Sequence, residues 1–281
     1  MKEKNKRLTA ILAGWLIFSH LFSSNIYCAD IAIYGDSQHD KVATRRIVRD
    51  IVRFRPAAVF RIGDMVNDGL DVGQWDSFNA INKPLISEGK FYPALGNHEK
   101  DSPLYFKNFP FLENRRWYSV DCEGIHFIVL DSNSSLKAGS AQYKWLTSDL
   151  ENAKGRARFT VVIFHHTLFS VGMHPEDEKS LRPVLLPLFE KYGVSAVFSG
   201  HDHDYERFYY KGIFFVVTGG GGSHLRDRTR ESPYLVKYKK AYHFCILSPE
   251  KDFIRVRVVD INVKLIDEFK IRQSEKWVLE R

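Results

Sequence analysis

Short apolar runs rich in β-branched and aromatic residues recur along this chain, and each stops at a glycine or a polar residue. Ile31-Ala32-Ile33-Tyr34 stops at Gly35-Asp36, and the run 57–62 stops at Gly63-Asp64. The run 91–95 stops at Gly96-Asn97-His98-Glu99, 159–164 at His165-His166, and 194–198 just before Gly200-His201-Asp202-His203. Continuous apolar runs of this length predict strands buried on both faces. Between them, Ile47, Val48, Ile51 and Val52 have the spacing of a helix around 45–52. Residues 141–150 and 181–191 predict two more helices, the second despite Pro183 and Pro187. Segments 117–120 and 126–130 predict a hairpin that turns at Cys122-Glu123-Gly124. A strand at 213–218 leads into the glycines at 219–222, and from about residue 242 the tail closes with strands at 242–247, 253–259 and 263–269. Strand–helix alternation ending in antiparallel strands predicts an α/β (α+β) class with mixed sheets. No repeat or linker-like shift divides the chain, so 30–281 is expected to be one domain.

Composition changes this picture little. Of 281 residues, 44% are hydrophobic and 27% charged, which excludes both a disordered chain and a polytopic membrane protein. The net charge is +7, but Lys2, Lys4, Lys6 and Arg7 against Glu3 carry +3 of it, leaving +4 on the rest. That balance suits an anionic substrate and is too diffuse for nucleic acid. Those basic residues precede an uncharged apolar stretch, 8–22, and then Ser23-Ser24-Asn25-Ile26-Tyr27-Cys28-Ala29. The pattern predicts a signal peptide over 1–29, or an uncleaved anchor or lipid attachment at Cys28, and hence an exported protein. The apolar part is shorter than the roughly 20 residues of a membrane span. Cys122 and Cys245 are compatible with one disulfide or with two buried thiols.

The polar residues at the strand ends define the chemistry. In open α/β sheets ligands collect beyond the carboxyl ends of strands. Asp36, Asp64, Asn97, His165, His201 and His203 bring carboxylate, amide and imidazole to such ends. Two divalent metals about 3.5–4 Å apart need that mixture, including a carboxylate that bridges them. The two histidines of His201-Asp202-His203 would face one side of an extended segment, or diverge toward two metals from a twisted loop. The glycines at 219–222 lack the Lys-Ser/Thr of a P-loop, so they predict a close backbone approach to the crevice instead.

These motifs resemble those of the calcineurin-like metallophosphoesterase superfamily and, within it, the purple-acid-phosphatase-like branch. Asp36-Ser37-Gln38, Gly63-Asp64-x-x-Asn67, Gly96-Asn97-His98-Glu99 and His165-His166 match, and Gly200-His201-Asp202-His203-Asp204-Tyr205-Glu206-Arg207 matches most closely. The resemblance runs from about residue 31 to 222. It implies a four-layer α/β/β/α sandwich with mixed sheets and a dinuclear centre at its edge. It also implies that Asp64 bridges the metals, that Asp36 and His203 hold the first, and that Asn97, His165 and His201 hold the second. His98 is implied as the proton donor to the leaving group, with a hydroxide formed from metal-activated water as nucleophile and inversion at phosphorus.

The chain departs from the family at two positions. The superfamily usually has His at the position of Gln38, and purple acid phosphatases usually have Tyr at that of Asn67. Either residue can offer only a weak neutral ligand or a hydrogen bond outside the coordination sphere, so Mn, Zn and Fe are comparable candidates. His166 and His174 are candidates to face the substrate, and the segments 66–75 and 170–179 are expected specificity loops. The expected substrate is a small phosphomonoester. A phosphodiesterase or nuclease on the same site is the alternative, then a non-catalytic binding protein. No nucleic-acid partner is expected, and membrane contact only through the N-terminal segment.

Overall fold

A computed structural model describes residues 29–273, so the expected N-terminal export segment, all but Ala29, lies outside the described residues. The chain starts with β1 (Ile31–Tyr34), α1 (Lys41–Phe54), β2 (Ala58–Ile62), α2 (Val72–Ile86) and β3 (Phe91–Ala94). After α3 (Pro103–Asn108) come β4 (Tyr118–Cys122), β5 (Ile125–Val129), α4 (Ala141–Ala153), β6 (Phe159–Ile163), α5 (Pro175–Tyr192) and β7 (Ala196–Ser199). The chain then continues through β8 (Tyr205–Tyr210), β9 (Ile213–Thr218), β10 (Leu235–Lys239), β11 (His243–Pro249), β12 (Phe253–Asp260) and β13 (Leu265–Arg272).

These strands form two mixed sheets, ordered β13-β12-β11-β1-β2-β3 and β10-β8-β9-β7-β6-β5-β4. In the first, β1, β2 and β3 are parallel, and the closing meander joins through antiparallel β11, with Ile31 opposite Leu247. In the second, β5, β6, β7 and β9 are parallel. Alternate residues of a strand point to opposite faces, and here they enter different cores. Phe127, Val129, Val161 and Ile163 face the first sheet, while Ile128, Val162 and Phe164 face α4 and α5. The sheets meet where Phe60 stacks on Phe127, ring centroids 4.2 Å apart. Ile47 and Ile51 of α1 and Trp75 and Phe78 of α2 belong to the core on the first sheet's side. This is the expected four-layer α/β/β/α arrangement.

Several element boundaries differ from the sequence reading, each for a local reason. Helix α1 begins earlier, at Lys41, because the Asp40 carboxylate caps it by accepting from Val42 N (2.9 Å) and Ala43 N (3.0 Å). Helix α5 begins at Pro175 rather than near 181. A first-turn proline followed by Glu176, Asp177 and Glu178 starts a helix well but has no apolar periodicity. Part of the expected loop 170–179 is therefore helix. The same holds for 66–75, whose end enters α2, an element hidden because buried Asn82 and Pro84 interrupt its apolar pattern. Strands β8 and β10, with their charged residues, also escaped the pattern. The hairpin turns on two residues, Glu123 (φ 50°) and Gly124 (φ 77°), leaving Cys122 in β4. Cys122 and Cys245 are both free thiols, in different sheets.

At the outer edge of the second sheet, His126 bridges Asp121 (Nδ1–Oδ1 2.6 Å) and Asp149 of α4 (Nε2–Oδ2 2.9 Å). Burial alone would lower this imidazole, but the two carboxylates outweigh it and hold its pKa above the ordinary histidine value. A pKa raised on folding contributes stability that is full below the unfolded value of about 6.5 and is lost as pH rises through the folded value. Asp149→Asn should therefore destabilise by about 1–3 kcal/mol near pH 6. The gap in melting temperature from wild type should narrow at higher pH; a gap independent of pH would contradict the ion-pair account.

Candidate metal centre

Asp36 follows β1, Asp64 follows β2, Asn97 follows β3, His165 follows β6 and His201 lies two residues past β7. The parallel strands of both sheets thus deliver their polar ends to one edge. Three of these residues adopt left-handed backbone conformations: Asp36 (φ 57°), Asp64 (φ 47°) and His201 (φ 69°). Such geometry in a non-glycine residue costs of order 1 kcal/mol and persists only where surrounding contacts over-determine it.

Two fully buried side chains supply those contacts. Glu99 accepts from Asp64 N (3.0 Å), Met65 N (2.8 Å) and Gly96 N (2.6 Å), tying the β2 and β3 loops together. Arg61, in β2, donates to Tyr34 O (3.1 Å), Ser37 Oγ (2.6 Å) and Asp64 O (3.2 Å), tying the β1 and β2 loops. Its guanidinium also lies over the Tyr34 ring, 4.6 Å from the centroid. The loops approach so closely that a Cβ on Gly200 would sit 2.3 Å from Asp36 Oδ2, and one on Gly221 2.1 Å from Gly35 O. Close backbone approach thus explains the glycine run, as its lack of P-loop residues predicts.

The six side chains read from the sequence converge. His165 Nε2 lies 2.9 Å from Asn97 Oδ1, 3.1 Å from His201 Nδ1 and 3.3 Å from Asp64 Oδ2. His203 Nε2 lies 3.7 Å from Asp36 Oδ1. Ligand atoms of Asp64, His165 and His201 all lie within 4.8 Å of one another, as do those of Asp36, Asp64 and His203. Asp64 belongs to both groups. His201 and His203 therefore diverge, the second of the two arrangements open from their spacing, and the left-handed turn at His201 separates them.

Two of the imidazoles are oriented by their other nitrogen. His165 Nδ1 donates to Ile62 O (3.1 Å) and His203 Nδ1 to His224 O (3.0 Å), so both present Nε2. His201 is reversed, with Nδ1 toward His165 and Nε2 3.3 Å from Asp177 Oδ2.

The electrostatics suit a cation. Burial pushes the Asp36 carboxyl well above the usual carboxylate range, with the charge of Asp64 adding to it. Asp64 is lowered instead, because the charge of His165 overcomes its burial. Burial opposes a proton on His165, yet Asp64 and Asp36 raise its pKa to about 10. His203 is lowered to about 4 by burial and by Arg226, and His201 is driven down by burial and by the imidazoles around it. The pocket therefore gathers carboxylates and imidazole lone pairs and holds protons at Asp36 and His165 among them. Metal binding to such sites displaces protons, and these residues fit two metal ions.

The remaining sequence candidates have definite places. His98 donates from its backbone N to Asp64 Oδ1 (3.0 Å), and its Nε2 lies 3.9 Å from Asp64 Oδ2. Its Nδ1 is held by the carbonyl of Asn67 at 2.8 Å, so Asn67 orients His98 through its backbone. Gln38 Nε2 donates to Asp64 Oδ2 (3.4 Å), while its carbonyl accepts from Ser223 Oγ; these amide ends are assigned from the hydrogen-bond network. In that orientation the Gln38 oxygen faces away from the carboxylates. His166 Nδ1 pairs with Ser132 Oγ (2.7 Å), and its ring lies 4.6 Å from that of His201. His174 packs against His201 (ring centroids 3.9 Å apart) and pairs with Asp202 (3.0 Å). Asp177, Glu99, Arg61 and Ser223 had no role in the sequence reading. Glu99 could have been suspected, since it lies within Gly-Asn-His-Glu, whereas the other three reach the site only through folding.

Comparison with known proteins agrees with this geometry. The family model for calcineurin-like phosphoesterases matches residues 29–205. A probable inactive purple acid phosphatase 27 of Arabidopsis thaliana is 29% identical over 247 residues, covering 71% of this chain and 40% of that protein. A nucleotide pyrophosphatase/phosphodiesterase of Hordeum vulgare is 28% identical over 242 residues, covering 68% of this chain and 63% of that protein. The chain thus spans about two fifths to three fifths of the length of these curated relatives. In fold it is similar to purple acid phosphatase PPD1 from yellow lupin (Lupinus luteus), with a TM-score of 0.77 and 22% identity. That match covers 89% of this chain and 55% of the lupin chain. The family match over more than half the chain, on a fold whose strand ends carry the matching residues, shows that the protein belongs to the calcineurin-like phosphoesterase family.

Proposed function

We propose that the protein is an exported, metal-dependent phosphoester hydrolase acting on a small phosphomonoester. The observation that carries this reading is the position of Asp64, within ligand distance of Asp36 and His203 on one side and of His165 and His201 on the other. Asp36, Asp64 and His203 would hold the first metal, and Asp64, Asn97, His165 and His201 the second, the ions being Mn, Zn or Fe(II). Bound there, such ions supply Lewis-acid stabilisation of phosphoryl oxygens and lower the pKa of a water toward about 7.

The chain's own residues then have separate tasks. His98, a third of whose side chain is exposed, has Nδ1 committed to the Asn67 carbonyl. Its Nε2 is the nitrogen free to hand a proton to the leaving oxygen. Glu99 and Arg61 keep the loops in register. Gln38 acts as a donor to Asp64 rather than as a ligand, which leaves the first site short of a strong ligand and favours a divalent ion. No tyrosine replaces it at Asn67, so no tyrosinate charge-transfer colour is expected. The N-terminal sequence supports export, and no helix among the described residues is long and apolar enough to cross a membrane. Diester or anhydride hydrolysis is the second reading, favoured by the barley relative described as a nucleotide pyrophosphatase/phosphodiesterase.

The test is to strip the full chain with chelator, reload it with Mn, Zn or Fe(II), and assay para-nitrophenyl phosphate against its bis-ester. Metal binding without turnover on either ester would sink the enzyme reading, and preference for the bis-ester would promote the second one. His98→Ala should lose about 10²–10⁴-fold in kcat while elemental analysis still finds two metals. Asn97→Ala should lose both turnover and the second metal. Asp64→Asn should fail to retain either ion in the same elemental assay; retention of both would remove Asp64 from the bridging role.

A further inference from the structure

A second convergence of donor atoms lies beside the first and shares one residue with it. Ligand atoms of His166, Asp177 and His201 all lie within 4.8 Å of one another, and each of the three residues is only partly buried, within reach of solution. They come from three segments: His166 from the loop after β6, Asp177 from the first turn of α5 and His201 from the loop after β7. His201 faces both ways, with Nδ1 3.1 Å from His165 Nε2 and its own Nε2 turned to Asp177. His174 borders the group, but its Nδ1 is committed to Asp202 at 3.0 Å.

The contact between Asp177 and His201 is close without being a hydrogen bond. Asp177 Oδ2 lies 3.3 Å from His201 Nε2, yet this oxygen is shielded from solvent and accepts no hydrogen bond from any group among the described residues. A carboxylate oxygen deprived of both water and a donor is unfavourable unless a cation meets it. His166 Nδ1 is taken by Ser132 Oγ at 2.7 Å, so Nε2 is the nitrogen it has left for a ligand, on a ring 4.6 Å from that of His201. Two imidazole nitrogens and one carboxylate oxygen are the donor set of an open zinc site, with the fourth position left to water. The imidazoles favour zinc over magnesium or calcium.

We propose that His166, Asp177 and His201 hold a third metal ion, a zinc ion, beside the two-metal centre, with His201 bridging it to the second metal. This rests on the two-metal reading only for the role of His201 Nδ1. A neutral imidazole carries one ring proton, and with Nδ1 given to the second metal that proton is on Nε2. The incoming ion displaces it to solvent, one proton per ion, and the ring remains as an imidazolate with a metal at each nitrogen; nothing is oxidised or reduced. Three protein ligands, one of which must give up a proton, make this the weakest of the three positions. It fills last and exchanges with solution while the first two ions stay bound. The ion also ties the first turn of α5 to the loops after β6 and β7.

The test starts from the full chain holding two zinc ions and follows further uptake by equilibrium dialysis against rising free zinc. Wild type should pass from two bound ions to three and release about one proton with the third. Asp177→Asn and His166→Asn, which alter different sides of the ion, should keep two and bind the third at least about tenfold more weakly. Either variant suffices, so misfolding of one leaves the other to decide. Melting temperature gives a second reading: excess zinc should raise it in wild type and leave the variants where two ions put them. A wild type that saturates at two ions overturns the site. So does a third ion bound as tightly by the variants, since it then sits elsewhere on the surface. If the stripped chain takes up only one ion and Asp177→Asn takes up none, these ligands stand and the two-metal reading falls.

Discussion

Crowding two carboxylates and three imidazoles around one point, with Asp36, His165 and His203 almost wholly withdrawn from water, is unfavourable until a positive charge sits among them. The rest of this structure follows from holding that arrangement in place. Hydrophobic burial provides the frame, since the parallel strands are packed on both faces and cannot shift register without exposing their apolar residues. The loops at their ends carry the strain, as three left-handed non-glycine residues among the convergent side chains attest.

Two devices oppose that strain from beneath. Glu99 commits both carboxylate oxygens to backbone N–H groups of the β2 and β3 loops, and Arg61 commits its two terminal nitrogens to the β1 and β2 loops. Neither points at the convergent ligand atoms, yet the position of Asp64 depends on both. The positive charge of Arg61, buried near Asp36, also offsets part of the negative charge gathered there. The same logic operates at His165 and His203, where a carbonyl behind each ring selects the nitrogen that faces inward. Asp177 places a carboxylate 3.3 Å from His201 Nε2 from the first turn of α5, a segment whose sequence reads as loop.

Much of the fold was legible because its signals are local. A buried apolar run that stops at a glycine or a histidine announces both itself and the turn, so β1, β2, β3, β6, β7 and β9 could be read directly. Helix α2 could not, because its buried face contains Asn82, whose amide is satisfied by Tyr34 of a distant strand and by Phe78 O. Strand β10 was equally hidden, since a mostly exposed edge strand has little apolar alternation to display. Gln38 read as a weak ligand or as a hydrogen bond outside the coordination sphere. Its carbonyl meets Ser223, 185 positions away, a partner no spacing rule could reveal.

The sequence by itself therefore determined which residues reach the centre and which strands carry them. Each motif is a short run whose chemistry and geometry are set by neighbours a few positions apart. Only the tertiary structure decided which nitrogen each histidine presents, that His201 and His203 part toward different carboxylates, and that His166 and Asp177 close on His201. Those outcomes depend on hydrogen bonds and ring contacts between segments brought together when the two sheets pack, and the chain carries no local record of them.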